Sequence, residues 1–557
     1  MMSLQTVKKL GINKKVFLSI FFISLTIFVF SSDAHRYSGD EDWQNLQAIR
    51  MVTLEPHELY VDGESRIRFE YPIGYPLYWQ GHVCYNYILC SPGNVAASVT
   101  QVPFLFINHN FNIITDDTVT WTNSDFGDMH YVFWRNSLGP DFTFLELFYG
   151  PLYSALLLGV FFLICRSFNY EIRTSLILTL LLGLTTQIWA YSQTSLNLVP
   201  FVFILLLGFY FFRRFQKNDS ALNLIFCGIC LGFGFMVRAE MAIVIMVLMG
   251  FFIYNLRKRD GKIKKILCYI VPQIIFYGLT KFFFYMSTGT AFFNKATVEA
   301  QNVIADGWNL PDLSFLSLMF NDISGLGAGL GDRFLTLEIH LTQQFGLLFS
   351  PGLGLFLFAP ILFTVFFTFP DFFKKHKPET IVILGLVTFF VVQMGSFGHW
   401  HGMVAWSARY LIPCVPFLLI PLGASIESRK NKKLMLLIIV ILGGLGLLIN
   451  LAYVSQDVSW FVWGQAGHDL GLYSLGNDKT ALYLNDVVIW TFQYSQLTNT
   501  ITTFFTGFYL DIFLLKLMGS GIFAATVFSL LLGQGYLLYR ILNRYKVAKP
   551  ESTSRIS

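Results

Sequence analysis

"VFLSIFFISLTIFVF" (Val16–Phe30) carries no charge, and Lys8, Lys9, Lys14 and Lys15 stand just before it. A helix over residues 14–31 would be about 27 Å long at 1.5 Å per residue, close to the hydrocarbon thickness of a bilayer. In lipid such a segment must satisfy its own backbone groups, which a helix does. Soon afterwards comes "SGDEDWQNLQAI" (Ser38–Ile49), with Asp40, Glu41 and Asp42 in a row near the point where that helix leaves the membrane. The fold turns on whether the long apolar run recurs.

It does. Of the 557 residues, 54% are hydrophobic, 17% aromatic and only 13% charged. A soluble globular chain averages about 25% charged residues. Mean hydropathy is +0.55. Twelve candidate spans lie near 14–31, 146–165, 174–191, 197–212, 221–237, 239–254, 266–286, 345–367, 380–396, 409–425, 434–453 and 519–540. If sides alternate, the N-terminus, the short connections 166–173, 213–220, 255–265, 368–379 and 426–433, and the C-terminal tail share one side. Together with Lys14, Lys15 and Arg540 at the edges of the first and last spans, these segments hold 27 of the 39 Lys and Arg residues and only 7 of the 34 acids. Basic residues in short loops set orientation, so both termini are expected to be cytoplasmic, in the cell (plasma or inner) membrane. The net charge of +5 therefore reflects insertion rather than nucleic-acid binding. The first span also has the basic start and apolar core of a signal peptide. "SSDAHRYSGD" (Ser31–Asp40) is a poor cleavage site, and a retained helix is expected.

The division that follows is a first helix (1–31), an extracytoplasmic segment (32–145), spans two to seven (146–286), a second such segment (287–344), spans eight to eleven (345–453), a third (454–518), and the last span with its tail (519–557). In 32–145, Trp43, Leu46, Ala48, Ile49 and Val52 recur at near-helical spacing, which predicts a surface helix with the acids at its N-terminal end. Cys84 and Cys90 alone among the seven cysteines fall in an extracytoplasmic segment, where a disulfide persists, and a bridge between them is expected. Cys227 and Cys230 lie inside an apolar run and read as small buried side chains. The chain has no phosphate-binding Gly-rich loop of the Walker type, no metalloprotease His pair and no nucleophile elbow, so ATP-driven transport has no support.

Four segments fall at the same extracytoplasmic ends of the spans: "SGDED" (38–42), "WAYSQT" (Trp189–Thr194), "QFGLLFSPGLGLFLFAP" (Gln344–Pro360) and "GHWHGMVAWSARYLIPCVPFLLIPL" (Gly398–Leu422). Read with Tyr71-Pro72-Ile73-Gly74 in the first loop, the order Asp40–Glu41, Ser350-Pro351-Gly352-Leu353-Gly354-Leu355, Trp400 and Arg409-Tyr410-Leu411-Ile412-Pro413 resembles the polytopic glycosyltransferases of the C superfamily (GT-C). That group includes the protein mannosyltransferases and the lipid A aminoarabinose transferases. The resemblance runs to about residue 425 and departs from the group where "SLNLVP" (Ser195–Pro200) supplies no acid. It implies an all-α integral membrane protein of about twelve transmembrane helices with a long first extracytoplasmic loop. It also implies transfer of a sugar from a polyprenyl-phosphate donor to a lipid, glycan or protein acceptor.

Such chemistry needs a carboxylate to take the acceptor's hydroxyl proton and cations to stabilise the leaving phosphate. The resemblance assigns Asp40 as the base with Glu41 beside it. Asp40 equally suits the N-cap of the surface helix. Arg409 and Tyr410 open an otherwise nearly uncharged span, and an arginine there calls for an anion such as a lipid phosphate, or else reaches ordinary headgroups. Arg238, in a hairpin tip, is a further phosphate ligand or the partner of Glu240. His399 and His401 flank Trp400 and suit hydrogen bonds to phosphate or sugar. Their spacing also fits a divalent metal, for which no third ligand is assignable, so no cofactor is assigned. Asp125 and Asp128 read as solvated loop residues. The competing functions are a transporter or flippase of lipid-linked intermediates and a surface-polysaccharide polymerase or ligase. A transporter should carry charges at mid-span, and these spans are nearly clean.

Overall fold

The computed structural model describes residues 4–34, 44–45, 48–49, 51–53, 60–61, 67–68, 95–115, 140–257, 259–288, 341–396, 400–402, 405–428, 432–456, 486–506 and 510–547. In chain order the helices are α1 (Leu4–Phe30), α2 (Val95–Phe111), α3 (Pro140–Ser167), α4 (Ile172–Leu184), the single turn α5 (Ile188–Tyr191), α6 (Leu198–Asn218), α7 (Ala221–Val237), α8 (Met241–Leu256) and α9 (Lys262–Thr288). There follow α10 (Leu341–Phe349), α11 (Leu355–Phe358), α12 (Val365–Lys375), α13 (Lys377–Gly395), α14 (Val415–Glu427), α15 (Lys432–Val454), α16 (Gln496–Thr506), α17 (Phe513–Met518) and α18 (Ser520–Val547). Two 3-10 segments, Pro360–Thr364 and Arg409–Cys414, lead into α12 and α14. Strands among the described residues are confined to a two-residue antiparallel pairing, Tyr60 opposite Arg68 and Val61 opposite Ile67.

Among the described residues eight helices are long and apolar enough to cross a membrane, and α4, α7 and α8 are shorter apolar helices. They account for eleven of the twelve expected spans. The remaining one, expected at 345–367, is not one continuous helix. Pro351 follows the end of α10, and Pro360 opens a 3-10 turn after Ala359, whose φ of −134° and ψ of 73° are non-helical. Proline lacks the backbone donor a helix needs and pushes the preceding residue out of the helical region. In place of one helix the chain runs through α11, the 3-10 turn and α12.

Contacts gather helix ends into two groups. At one, Arg166 donates to Asn13 Oδ1 at 3.2 Å, and Tyr170 donates to the Ile420 carbonyl at 3.0 Å. There too Arg213 pairs with Glu379 while its guanidinium lies 4.3 Å from the Phe168 ring centre. At the other end α1 finishes beside the 189–197 segment. The two ends are called basic and polar below. α9 and α18 leave almost all of their apolar surface uncovered, with Ile274, Ile275, Phe528 and Leu532 all more than half exposed. In a membrane, lipid tails cover that surface. Residues 44–45, 48–49 and 51–53 are helical. Ala48 and Ile49 are buried in a cluster with Leu145, Tyr149 and Phe513, against which Val52 packs. Ala48, Ile49 and Val52 of the expected helix thus pack into one cluster with α3, while Trp43 and Leu46 lie outside the described residues.

Candidate active site at the polar end

The segment Gln187–Asn197 has no long helix to satisfy its polar groups, yet Gln187, Ser192, Gln193 and Ser195 are wholly buried. Buried polar groups need partners, and here the partners come from distant parts of the chain. The Trp189 indole donates to Ser31 Oγ at 2.9 Å. Gln193 Nε2 donates to the Ser31 carbonyl and to the Val454 carbonyl, the latter at 3.0 Å. Gln187 Nε2 donates to the Leu355 carbonyl at 3.2 Å and to Ser407 Oγ at 3.0 Å, while Ser407 Oγ donates to the Leu353 carbonyl at 3.2 Å. The Tyr191 hydroxyl donates to the Trp406 carbonyl at 2.8 Å. Asn45 Nδ2 reaches Ser195 Oγ at 3.2 Å, and Gln101 Nε2 reaches the Ser195 carbonyl at 2.9 Å. One short stretch therefore ties together the end of α1, the surface helix, α2, the 350–355 turn and the 406–414 approach to α14.

α3 touches this hub through a glycine. A β-carbon at Gly150 would stand 2.6 Å from the Thr194 carbonyl oxygen and closer still to that of Ser192. No side chain fits there.

The charged groups sit beside the hub. Asn197 Nδ2 donates to the Val237 carbonyl at 3.2 Å, and its Oδ1 accepts from Arg238 Nη1 at 2.9 Å. Arg238 also grips Glu240 through two nitrogens, at 2.5 and 3.3 Å. Burial opposes charge on both residues, but their mutual attraction outweighs it. Glu240 is held below the usual carboxylate range and Arg238 above its ordinary value. Both feel the charge of Arg409. The Arg409 guanidinium lies 5.1 Å from the Tyr410 ring centre, and Nη2 stands 3.3 Å from the Tyr410 hydroxyl. The stem of Arg409 rests on Gly402, whose φ is +65°; a β-carbon there would meet Arg409 Nε at 2.7 Å. The left-handed backbone and the contact both require glycine.

The structure thus brings Arg238, Arg409 and Tyr410 together, with His401 nearby, its ring edge-on to Trp400 at 5.9 Å. Arg238 has Glu240 as a partner, the simpler of its two readings. Asp40, Glu41 and His399 lie outside the described residues, as do Asp42, Tyr71–Gly74, Cys84, Cys90, Asp125 and Asp128. Among the described residues no group of three His, Cys, Asp or Glu side chains could hold a metal. Sequence reading passed over three buried acids near this end: Asp33, Glu146 and Asp511, which are 2%, 0% and 5% exposed. Asp511 pairs with Lys516 at 2.7 Å, and its neighbour Phe513 donates its backbone N–H to the Ser32 carbonyl at 3.0 Å. Glu146 did carry a signal, because an ionisable residue at the mouth of an apolar run is costly to place there without a role.

Fold and polar end together define a polytopic, helical membrane protein with a buried polar hub and an adjoining arginine pair at one end. Residues 150–292 match the family model described as dolichyl-phosphate-mannose-protein mannosyltransferase, so the GT-C resemblance is borne out, and of the quoted segments the match covers Trp189–Thr194. The matched stretch includes the hub and the Arg238–Glu240 pair. No curated protein matches the chain. Among solved structures, it is similar to the oligosaccharyltransferase of Archaeoglobus fulgidus in the apo form, at 11% identity and a TM-score of 0.47, over 87% of this chain and 60% of that one. It is also similar to archaeal AglB from the same organism in complex with an inhibitory peptide and a dolichol-phosphate, at 12% identity and a TM-score of 0.47, over 83% and 59% of the two chains. A third is ArnT from Cupriavidus metallidurans in the apo state, at 12% identity and a TM-score of 0.39, over 90% and 76%. The chain thus spans about 60% of the length of the first of these structures.

Proposed function

We propose that this protein is an inverting membrane glycosyltransferase that moves a hexosyl or pentosyl group from a polyprenyl-phosphate donor to a lipid, glycan or protein acceptor. The polar end is extracytoplasmic, and both termini are cytoplasmic. Asp40, with Glu41 beside it, removes the proton from the acceptor hydroxyl. The hydroxyl oxygen attacks the anomeric carbon from the face opposite the phosphate. The bond from that carbon to the phosphate oxygen breaks, and the bonding pair leaves on the phosphate. Arg409 receives that charge, with Tyr410, His399 and His401 as hydrogen-bonding neighbours. Arg238 adds positive potential behind Arg409, moderated by Glu240. A guanidinium already oriented at the leaving oxygen needs no reorganisation during the reaction.

The observation that carries this reading is the family match over 150–292. The matched stretch contains the hub whose Gln187 and Tyr191 hydrogen-bond the segment leading to Arg409. Purified protein incubated with a panel of polyprenyl-phosphate sugars, followed by mass spectrometry, should release or transfer sugar from at least one donor. Absence of turnover with every donor, alongside movement of lipid-linked sugar across reconstituted vesicles, would replace this reading with a flippase.

A further inference from the structure

Residues 454–518 lie beyond the family resemblance, which ends near residue 425, yet part of that segment returns to the polar end. Residues 486–490 are helical. The Gly352 backbone N–H donates to the Ile489 carbonyl at 3.0 Å, and a β-carbon on Gly352 would come within 2.7 Å of Ile489 Cα. This backbone therefore lies directly on the 350–354 turn. The next residue is Trp490. A β-carbon on Gly346 would fall 2.7 Å from Trp400 Cη2 and 3.0 Å from Trp490 Cη2, so the two indoles meet over that glycine. Their ring centres are 6.2 Å apart, at an interplanar angle of 44°. A continuous line of contacts runs from Arg409 to Gly402, past His401 to Trp400, and on to Trp490.

Tryptophans of an interfacial belt face lipid and headgroups. Trp400 is only 8% exposed, whereas Trp490 is partly open. Two glycine contacts fix the position of this pair, which a belt residue does not need. The line of contacts joins this flat, electron-rich ring to the Arg409 guanidinium through Trp400, His401 and Gly402, an arrangement that suits a ligand with an anion at one end and a C–H-lined ring at the other. A sugar phosphate has that shape.

We propose that Trp490, backed by Trp400, is the sugar subsite of the donor, with its ring stacked on the saccharide whose phosphate Arg409 holds. This rests on the reading of Arg409 as the phosphate ligand. The test is binding by native mass spectrometry of the full chain to polyprenyl phosphate and to its mannosyl and glucosyl derivatives. Trp490→Ala should weaken the sugar-bearing lipids about tenfold, the scale of one lost aromatic stack, and leave polyprenyl phosphate unchanged. Trp490→Phe should restore most of the loss, and Arg409→Ala should weaken all three ligands. Equal weakening of all three by Trp490→Ala, or of none, overturns the subsite. A wild-type protein that binds polyprenyl phosphate but gains nothing from an attached sugar overturns the subsite and leaves the phosphate reading standing. A wild-type protein that binds neither overturns both.

Discussion

Gly150→Ala adds one methyl group where α3 meets the hub. Its β-carbon would sit 2.6 Å from the Thr194 carbonyl oxygen, against the 3.4 Å at which ordinary contact begins, so helix and hub must part by at least about 0.8 Å, and by more to clear the nearer Ser192 carbonyl oxygen. Both obstacles, Ser192 and Thr194, present backbone atoms, which cannot rotate away as a side chain could. Overpacking of this kind costs about 1–3 kcal/mol. Alanine recovers about 1 kcal/mol of that through its better helix propensity, which leaves a net loss of roughly 0–2 kcal/mol. The functional cost should be larger, because the displaced hub hydrogen-bonds the segment that carries Arg409. A shift near 1 Å at a distance from the chemistry costs on the order of a hundredfold in rate. Turnover of a sugar donor and thermal unfolding in detergent should therefore separate, with a drop of about two decades in rate beside a melting shift of a few degrees. Gly533→Ala in α18, where nothing lies within 4 Å, is the control and should keep full turnover. Wild-type turnover and melting in Gly150→Ala would refute the close contact and the role given to the hub.

Arg409→Ala should raise the donor KM far more than Arg409→Lys, because lysine keeps the charge but loses the planar fork; equal activity of Arg409→Ala and wild type at limiting donor would remove this residue from the site. Asp40→Asn preserves shape and capping while removing basicity, so turnover should fall on the order of a hundred- to ten-thousand-fold with membrane insertion intact. Asp42→Asn, projected about 200° around a helix from Asp40, should cost little, and the reverse ranking would reassign the base. Glu240, held below its ordinary value by Arg238, contributes stability that is complete above the unfolded carboxylate pKa of about 4.3. That stability is lost as pH falls through the lower folded value, so thermal melting should not decline on this pair's account between pH 8 and 5. Glu240→Gln should lower the melting temperature across that whole window. A variant that melts like wild type at pH 7 would show that the pair is not desolvated.

The spans were legible because a bilayer imposes a minimum length on any apolar helix, and runs such as Val16–Phe30 and the stretch within Lys432–Val454 meet it locally. The family resemblance was legible for a similar reason, since short motifs in fixed order survive as strings. Two local signals were present but outweighed. Pro351 and Pro360 marked the break in the eighth crossing, but the apolar run around them read as continuous. Glu146 stands at the head of an apolar run and reads in sequence as its boundary, whereas α3 begins at Pro140 and buries it fully. Tertiary structure alone decided which distant segments meet. Gln187 finds Ser407 across 220 positions, Gln193 finds Val454 across 261, and Trp490 meets Trp400 over Gly346. Those pairings depend on which helix ends share one side of the bundle and on glycines that let backbones touch. Hydropathy marks where the chain is apolar enough to cross, but it does not encode which of those helices become neighbours.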